Sequence, residues 1–259
     1  MQSDAIGLKS TEEIEGMRAS ASILVGALRA LIPKVEPGVT TDELAQTAHD
    51  YIHDHGGVPS FLGVPAASPN TPDFPASICA SVNDVIVHGI PSGARLTEGD
   101  IIGIDCGVVL DGWHSDSAVT LPVGEVSDEA ERLIAVTNKA LDAAVKAARP
   151  GKHVGDLGAA VQRVVESAEF SVVRRFVGHG IGRSMHEPPQ VPNFGEPGGG
   201  AEFVPGMTLA IEPMVNIGTH QVRFDGDGWT ARTADGRLSA HSEHTIAITE
   251  NEPLVLTRR

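Results

Sequence analysis

Residues 99–121 read GDIIGIDCGVVLDGWHSDSAVTL, in which two mainly apolar runs flank Asp111-Gly112. An Asp-Gly pair between such runs is a strong signal for a β-hairpin with a two-residue turn. In that register Asp105 faces Ala118, and Asp116 becomes a diagonal neighbour of Asp105 on the same face of the sheet. The hairpin therefore predicts two adjacent carboxylates. Two unrelated surface acids near a turn are the alternative interpretation.

A second part of the chain repeats this acid-tipped pattern. Glu212 follows Gly206 at the spacing at which Asp105 follows Gly99, and an apolar run lies between in both cases. Apolar and polar residues alternate over residues 207–217 in a way that predicts a hairpin, and Glu243 precedes a similar alternation over residues 245–255. A single acid at a strand end is more often solvated than metal-bound. Its repetition is what favours a shared site.

One order of features occurs twice along the chain: a helix, Pro-Gly, a second helix, His-Gly-Ile and a strand that ends in an acidic residue. The apolar spacing predicts helices at about residues 11–32 and 128–148, and a further helix after each of Pro37-Gly38 and Pro150-Gly151. His-Gly-Ile recurs at residues 88–90 and 179–181. This duplication predicts one α+β domain over residues 1–259, with halves of roughly 11–125 and 126–259 related by a pseudo-twofold axis.

Such an axis would bring the acids of the two halves together at the centre. Four clustered carboxylates cannot all stay ionised in a buried site without cations, because like charges raise one another's pKa. Carboxylates with one imidazole suit divalent Mn, Fe, Co or Zn, and four acids suit two such ions. The set that we expect to hold them is Asp105, Asp116, His179, Glu212 and Glu243.

Seven ordered segments resemble the signature segments of type I methionine aminopeptidases, and the similarity covers nearly the whole chain. They are VNDVIVHGIP (82–91), IDCG (104–107), DSA (116–118), GHGIG (178–182), HE (186–187), IEP (211–213) and EHT (243–245). The resemblance implies the pita-bread (creatinase-like) fold and the same five metal ligands. It also implies removal of the initiator methionine from nascent proteins, with preference for a small second residue.

The resemblance assigns further roles outside the ligand set. It implies that Glu212 carries a proton as well as binding metal, and that His88 and His186 are catalytic, substrate-contacting residues that do not bind metal. Cys79 and Trp229 match positions that line the methionine pocket; an inert buried thiol and a turn aromatic that merely packs are the alternatives. Because a methionine pocket should be apolar, Phe61 and Phe74 are expected companions.

Several positions depart from the family pattern. Residues 64–79 form a longer segment without the usual tyrosines, Met185 stands where an aromatic is frequent, and Ser242 replaces a bulky residue. The Pro- and Ala-rich part, residues 64–75, is expected to be a mobile loop. Backbone oxygens at three positions are expected to bind a monovalent cation, as in many relatives; these positions are Asn83, Val85 and Ser239.

Composition narrows the possible partners and the compartment. A formal charge of −15 argues against a nucleic-acid partner, and no segment is long and apolar enough for a membrane span. Two cysteines in 259 residues fit a reducing, cytoplasmic environment. We expect a monomer with at most transient ribosome contact.

Two other functions are compatible with this fold. An X-Pro aminopeptidase or prolidase shares the fold and the metal ligands, but those proteins generally carry an additional N-terminal domain, whereas here the first predicted helix begins near Thr11. A catalytically silent pita-bread protein that binds peptides should have lost metal ligands, and all five are present.

Overall fold

The computed structural model describes residues 5–66, 68–69 and 71–259. Four α-helices match the predicted positions, and the side chains of Ser10, Thr40 and Ser127 cap the first turns of the first three. In the first helix, Ser10 and Glu13 form the expected capping box. The helices are α1 (Thr11–Leu31), α2 (Thr41–Asp54), α3 (Asp128–Ala147) and α4 (Val154–Glu166), and a short 3-10 turn covers Ile32–Lys34.

The strands are short except for the central hairpin. In chain order they are β1 (Val58–Pro59), β2 (Ile78–Val82), β3 (Val85–Val87), β4 (Ile101–Leu110), β5 (Trp113–Pro122), β6 (Ser171–Val172), β7 (Gly178–Gly180), β8 (Glu187–Val191), β9 (Thr208–Ile211), β10 (Met214–Asn216), β11 (Val222–Phe224), β12 (Ala231–Thr233), β13 (Ser239–His241), β14 (His244–Ala247) and β15 (Leu254–Val255).

The hairpin predicted around Asp111-Gly112 is confirmed in its register. Strands β4 and β5 pair antiparallel, with Asp105 opposite Ala118 and Gly107 opposite Asp116. Asp116 is therefore the diagonal neighbour of Asp105, as expected from the two-residue turn. Strands β2 and β1 pair with the two ends of β4 and complete the sheet of the first half.

The sheet of the second half has the order β15-β14-β9-β7-β8. The hairpin predicted over residues 207–217 was wrong. β9 ends at Ile211 and pairs with β7 and β14, whereas β10 begins at Met214 and pairs with β6 and β13 of another sheet. Pro213 has no N–H to donate to a neighbouring strand, so it interrupts the pairing directly after Glu212. The alternation over residues 245–255 is also broken, since β14 ends at Ala247 and a turn precedes β15.

Each half packs two helices against its own sheet. Leu24, Leu28 and Leu44 of α1 and α2 pack with Ile102 and Ile104 of β4 in one buried cluster. A separate cluster joins α3 and α4 to β9 and β14. The described residues thus have the two-part α+β arrangement that the duplication predicts. Their treatment as one domain over 1–259 stays a prediction.

Side chains of the central strands join the two halves. Thr245 Oγ1 accepts from the Asp116 N–H at 2.9 Å and donates to the Asp116 carbonyl at 2.7 Å. The Glu243 N–H donates to the Ala118 carbonyl at 3.0 Å. These bonds place the acidic strand ends of both halves beside one another.

The segment predicted to be a mobile loop contains no helix or strand in its described part. Ala67 and Asn70, which belong to it, lie outside the described residues. Among the helices that the structure describes, none combines the length and apolar character needed to cross a membrane.

Candidate metal centre

The five predicted ligands line one cavity, and each comes from a different strand or strand end. Asp105 and Asp116 lie on β4 and β5, and His179 lies on β7. Glu212 directly follows β9, and Glu243 directly precedes β14, whose first residue pairs with the last residue of β9. This pairing sets the two glutamates side by side.

Several of the ligand atoms are close enough for a shared ion. One ligand atom each from Asp116, His179 and Glu243 lie within 4.8 Å of one another. The Nε2 atom of His179 is 3.5 Å from Oε1 of Glu212. Asp105 and Asp116 interact through their carboxyl groups. The structure therefore brings together all five residues that the sequence singled out.

The donor atoms of this cluster fit a cation site. One buried oxygen each of Asp105, Asp116 and Glu243 has no hydrogen-bond partner among the described residues. Burying a carboxylate oxygen without a hydrogen-bond partner costs free energy of folding. A divalent cation is a suitable partner, because carboxylate oxygens coordinate such ions. The chemistry of the site thus favours bound divalent ions.

Burial and mutual repulsion make these carboxyl groups hard to ionise without cations. Burial raises the pKa of Asp105 to about 7, although contacts with Asp116 and the Cys106 amide oppose the rise. The pKa of Asp116 is raised by burial and then by the charges of Glu243 and Asp105. Burial and neighbouring carboxylates likewise raise the pKa values of Glu212 and Glu243. Bound dications would offset this repulsion.

The imidazole of His179 is oriented by a main-chain partner. Its Nδ1 lies 2.9 Å from the Gly180 carbonyl, so Nδ1 carries the proton and Nε2 is left to face Glu212. Metal-binding histidines commonly have such an anchor on the other ring nitrogen. Burial, and then the nearby His186, lower the pKa of His179 to about 4. The ring is therefore neutral at pH 7 and able to bind metal.

The two predicted non-ligand histidines also line the cavity. The ring of His186 lies 4.4 Å from that of His179, measured between centroids. Burial, and then His186, lower the pKa of His88 to about 4, and burial lowers the pKa of His186. A neutral imidazole has one N–H donor and one acceptor nitrogen. Both rings can therefore donate a hydrogen bond to a molecule in the cavity.

Sequence comparison shows the family to which this arrangement belongs. The model of metallopeptidase family M24 matches residues 15–250. A methionine aminopeptidase of Clostridium perfringens is 49% identical over 250 residues, which are 96% of this chain and 98% of that protein. The chain belongs to the methionine aminopeptidases of family M24.

Solved structures agree with this assignment and with the predicted fold. A methionine aminopeptidase from Rickettsia prowazekii matches with a TM-score of 0.94 at 38% identity, covering 98% of this chain and 100% of that one. A prolidase from Pyrococcus furiosus matches with a TM-score of 0.78 at 22% identity, covering 97% of this chain and 65% of that one. The second likeness shows the fold alone. The prediction of a pita-bread fold is confirmed.

The cavity beside the metal ligands has a volume of about 250 Å³. All four residues predicted for the methionine pocket line it; they are Phe61, Phe74, Cys79 and Trp229. Phe74 and Cys79 are buried, and we call the part of the cavity that these two side chains line its closed end. Trp229 holds its place by donating from Nε1 to the Pro72 carbonyl at 2.9 Å and by an edge contact with Phe74. A contact of any of them with substrate stays a prediction.

The sequence did not assign two further lining residues to the pocket. Val64 lies in the loop for which the sequence carries no periodic signal, and Met185 occupies a position where an aromatic was expected. Met185 directly precedes His186, and this adjacency to a predicted site residue could have placed Met185 in the pocket. Both side chains are apolar and extend the apolar wall.

His241 lies closer to the ligands than its sequence position alone indicated. Its Nε2 is 3.8 Å from Oε2 of Glu212 and has no hydrogen-bond partner among the described residues. Burial, and then His88, lower its pKa to about 3. His241 ends β13 and precedes Glu243 by two residues, so its closeness in sequence to a predicted ligand was the available signal.

Proposed function

We propose that this methionine aminopeptidase removes the initiator methionine of nascent proteins with two divalent ions. The residues that would hold them are Asp105, Asp116, His179, Glu212 and Glu243. The observation that carries the proposal is the close approach of ligand atoms from Asp116, His179 and Glu243, with buried oxygens that lack partners. This cluster faces a cavity whose closed end is apolar.

Ions bound there would act as Lewis acids on water and on the carbonyl of the scissile peptide bond. Four carboxylates suit two dications because the charges then balance, whereas a single ion would leave surplus negative charge in a buried site. Mn, Fe, Co and Zn all suit carboxylate and imidazole ligands. Because these ligands suit all four metals, the concentration of each metal in the cell and the geometry of the site determine which one is bound.

Glu212 is the residue that we assign to proton transfer. Hydrolysis adds water across the C–N bond, so a proton must leave the water and reach the departing amine. Glu212 lies among the ligands, and its Oε2 is 3.8 Å from the neutral ring of His241. Its carboxylate lines the cavity, so it could take a proton from the water and pass it to the amine.

His88 and His186 are assigned to the substrate. Both rings face the cavity and are neutral at pH 7 because burial lowers their pKa values. Each can donate a hydrogen bond from its N–H to the peptide carbonyl or to the oxyanion that forms from it. Such a donor contributes most to catalysis when negative charge develops on that oxygen. The rings would also orient the peptide over the ligands.

The apolar closed end is assigned to the methionine side chain. Phe74 and Cys79 close it, while Trp229 and Phe61 flank it, so a flexible thioether can fill the space with aromatic contacts. A preference for a small second residue follows from the family resemblance.

The remaining assignments concern a further ion and the setting of the protein. Asn83, Val85 and Ser239 lie on neighbouring segments, and the Ser239 N–H donates to the Asn83 carbonyl at 2.9 Å, which supports a monovalent site at their backbone oxygens. We also propose a cytoplasmic monomer with transient ribosome contact and no nucleic-acid partner.

Cleavage of two peptides by the metal-reconstituted protein tests the function. With Mn²⁺, Fe²⁺ or Co²⁺ we expect release of methionine from Met-Ala-Ser and no cleavage of Ala-Pro-Ala. Glu243→Gln should abolish cleavage, whereas Glu250→Gln, which changes an exposed carboxylate nearby, should not. Cleavage of Ala-Pro-Ala alone would instead identify an X-Pro aminopeptidase. No cleavage with any of these ions would favour a silent peptide-binding protein.

Calorimetry tests the number of ions separately. Titration of metal-free protein should show two equivalents of Mn²⁺ bound, and Asp116→Asn should lower this number. A single equivalent bound by the unchanged protein would contradict the two-ion assignment.

A further inference from the structure

Aromatic rings continue from the closed end of the cavity to the protein surface. The ring centroids of Phe74 and Trp229 are 5.2 Å apart, and those of Trp229 and His88 are 6.4 Å apart. From His88 the series continues to Phe176 at 5.4 Å and from Phe176 to Phe224 at 6.1 Å. Every pair meets nearly edge to face. We call these five rings the aromatic row.

The row contains a large share of the aromatic residues in this chain. The sequence has seven Phe, two Trp and one Tyr in 259 residues. Four of these ten belong to the row, while the rest of the protein relies mainly on aliphatic packing. A single exposed apolar residue is ordinary on a protein surface, but a continuous row that starts in the active-site cavity is not.

The outer end of the row is open to solvent. Phe224 is 52% exposed, whereas Phe74 is 3% exposed. On β11, Val222 and Phe224 share one face, and Val222 packs in the same apolar cluster as Phe176. Arg223 lies between them on the other face, where it donates to Asp84 Oδ2 at 3.0 Å. Strand alternation and this ion pair thus hold Phe224 against Phe176.

The substrate itself indicates what would cover these rings. An aminopeptidase has one substrate residue ahead of the scissile bond, so the rest of the peptide must leave through the open end of the cavity. Two ring-to-ring steps separate His88 from Phe224, one of 5.4 Å and one of 6.1 Å. An extended peptide advances about 3.3 Å per residue, so these steps correspond to about three residues.

We propose that Phe176 and Phe224 form a subsite for the downstream part of the substrate. In this subsite Phe224 contacts the side chain of the third or fourth residue and favours an apolar one. The inference rests on the proposed function, since it takes the cavity as the place where the N-terminal methionine binds. The preferred substrate class is therefore peptides of four or more residues with an apolar third or fourth position.

The contact between Phe224 and the third or fourth substrate residue is remote from the reacting atoms, so it should stabilise the bound substrate and the transition state equally. Such an interaction changes KM and leaves kcat unchanged. For the unchanged protein we expect kcat/KM for Met-Ala-Phe-Phe-Ser to exceed that for Met-Ala-Ser-Ser-Ser roughly two- to tenfold, as for one or two aromatic contacts. The dipeptide Met-Ala does not reach Phe224.

Substitution of Phe224 in the metal-reconstituted full chain tests the subsite. Phe224→Ser should bring the ratio of the two pentapeptides close to one, through KM, without changing cleavage of Met-Ala. Phe224→Leu should keep part of the preference. Leu254→Ser, which removes an exposed apolar side chain on β15, should change nothing. An unchanged ratio in Phe224→Ser, or an equal loss with Met-Ala, would overturn the proposal.

Binding distinguishes failure of the subsite from failure of the proposed function. Calorimetry should show tighter binding of Met-Ala-Phe-Phe-Ser than of Met-Ala-Ser-Ser-Ser to metal-free protein, and loss of this difference in Phe224→Ser. If this difference appears while no peptide releases methionine, the subsite stands and the proposed function fails. If methionine is released while the two pentapeptides bind equally, the subsite fails alone.

Discussion

The Nζ atom of Lys9 lies 2.5 Å from Oε2 of Glu187, and the two side chains are 8% and 17% exposed. Glu187 directly follows His186, and its Oε1 accepts from the Ser184 N–H at 3.0 Å. The Lys9 N–H donates to the Gly206 carbonyl at 2.7 Å, just ahead of β9. The ion pair therefore ties the segment before α1 to the loop that carries a predicted catalytic histidine. The main-chain bond ties the same segment to the start of the strand that leads to Glu212.

Lys9→Met should destabilise the protein and slow catalysis. The change leaves the Glu187 carboxylate largely buried without its partner, which costs on the order of 3 kcal/mol of unfolding free energy. Because His186 is then less well held, kcat should fall, and Lys9→Arg should restore part of it. Denaturant unfolding and turnover of Met-Ala-Ser are the measurements. Arg18→Met is the matched control, since its ion pair with Glu15 is more than half exposed. Equal behaviour of both variants would contradict the positioning role.

His186→Ala should lower turnover without preventing folding or metal binding. The loss expected for a missing donor to the peptide oxyanion is roughly 10²-fold in kcat. His88→Ala should behave similarly, whereas His220→Ala, an exposed histidine, should be normal. Steady-state kinetics and Mn²⁺ calorimetry are the measurements. Near-normal turnover of a folded, metal-loaded His186→Ala protein would remove this histidine from the mechanism.

Metal binding should release protons. Burial raises the pKa of Asp105 to about 7 and raises that of Asp116 as well, so part of the cluster is protonated near neutral pH in the metal-free protein. Ions bind the deprotonated carboxylates. Affinity for Mn²⁺ should therefore fall as the pH is lowered from 8 to 6. Calorimetry in buffers of different ionisation enthalpy measures the released protons. An affinity that is constant over this range would show that the carboxylates are already ionised.

The contribution of Asp105 to the stability of the metal-free protein should decrease as the pH rises. The pKa of Asp105 is raised above its unfolded value, so its contribution is fully present below about pH 4 and is lost as the pH rises through about 7. Relative to an Asp105→Asn variant, we expect the unfolding free energy of the unchanged protein to fall by on the order of 2 kcal/mol between pH 5 and pH 8, and added Mn²⁺ should reverse this fall. The variant is the reference because buried histidines with lowered pKa values add stability to both proteins over this range. Denaturant unfolding at several pH values measures this.

The variant Asp116→Asn distinguishes the effect of carboxylate charge on stability from the effect of side-chain packing. The amide cannot ionise, so this variant should be more stable than the unchanged protein at pH 8 without metal, and Mn²⁺ should stabilise it less. A variant that is less stable at every pH would indicate that the Asp116 carboxylate contributes to packing instead.

Local patterns predicted much of the fold and the five candidate ligands. The spacing of apolar residues predicted all four helices, because a helix is specified by contacts within a few positions. The two-residue turn at Asp111-Gly112 determined that Asp105 and Asp116 share a face, since side chains alternate strictly along strands. The duplication and the ordered family segments supplied the second pair of acids and His179.

Contacts between distant parts of the chain decided the rest. Lys9 and Glu187 are 178 positions apart, and no spacing rule joins a lysine ahead of the first helix to a loop beside the site. Phe224 meets Phe176 through tertiary packing, in a sheet where β11 pairs with β12 and β12 pairs with β3 of the first half. Val64 and Phe74, which form part of the pocket wall, lie in a segment that carries no periodic pattern. Periodicity and turn chemistry act over a few residues, so the sequence alone determined the helices and the central hairpin and indicated the candidate ligands. Only tertiary packing decided which loops and aromatic rings surround those residues.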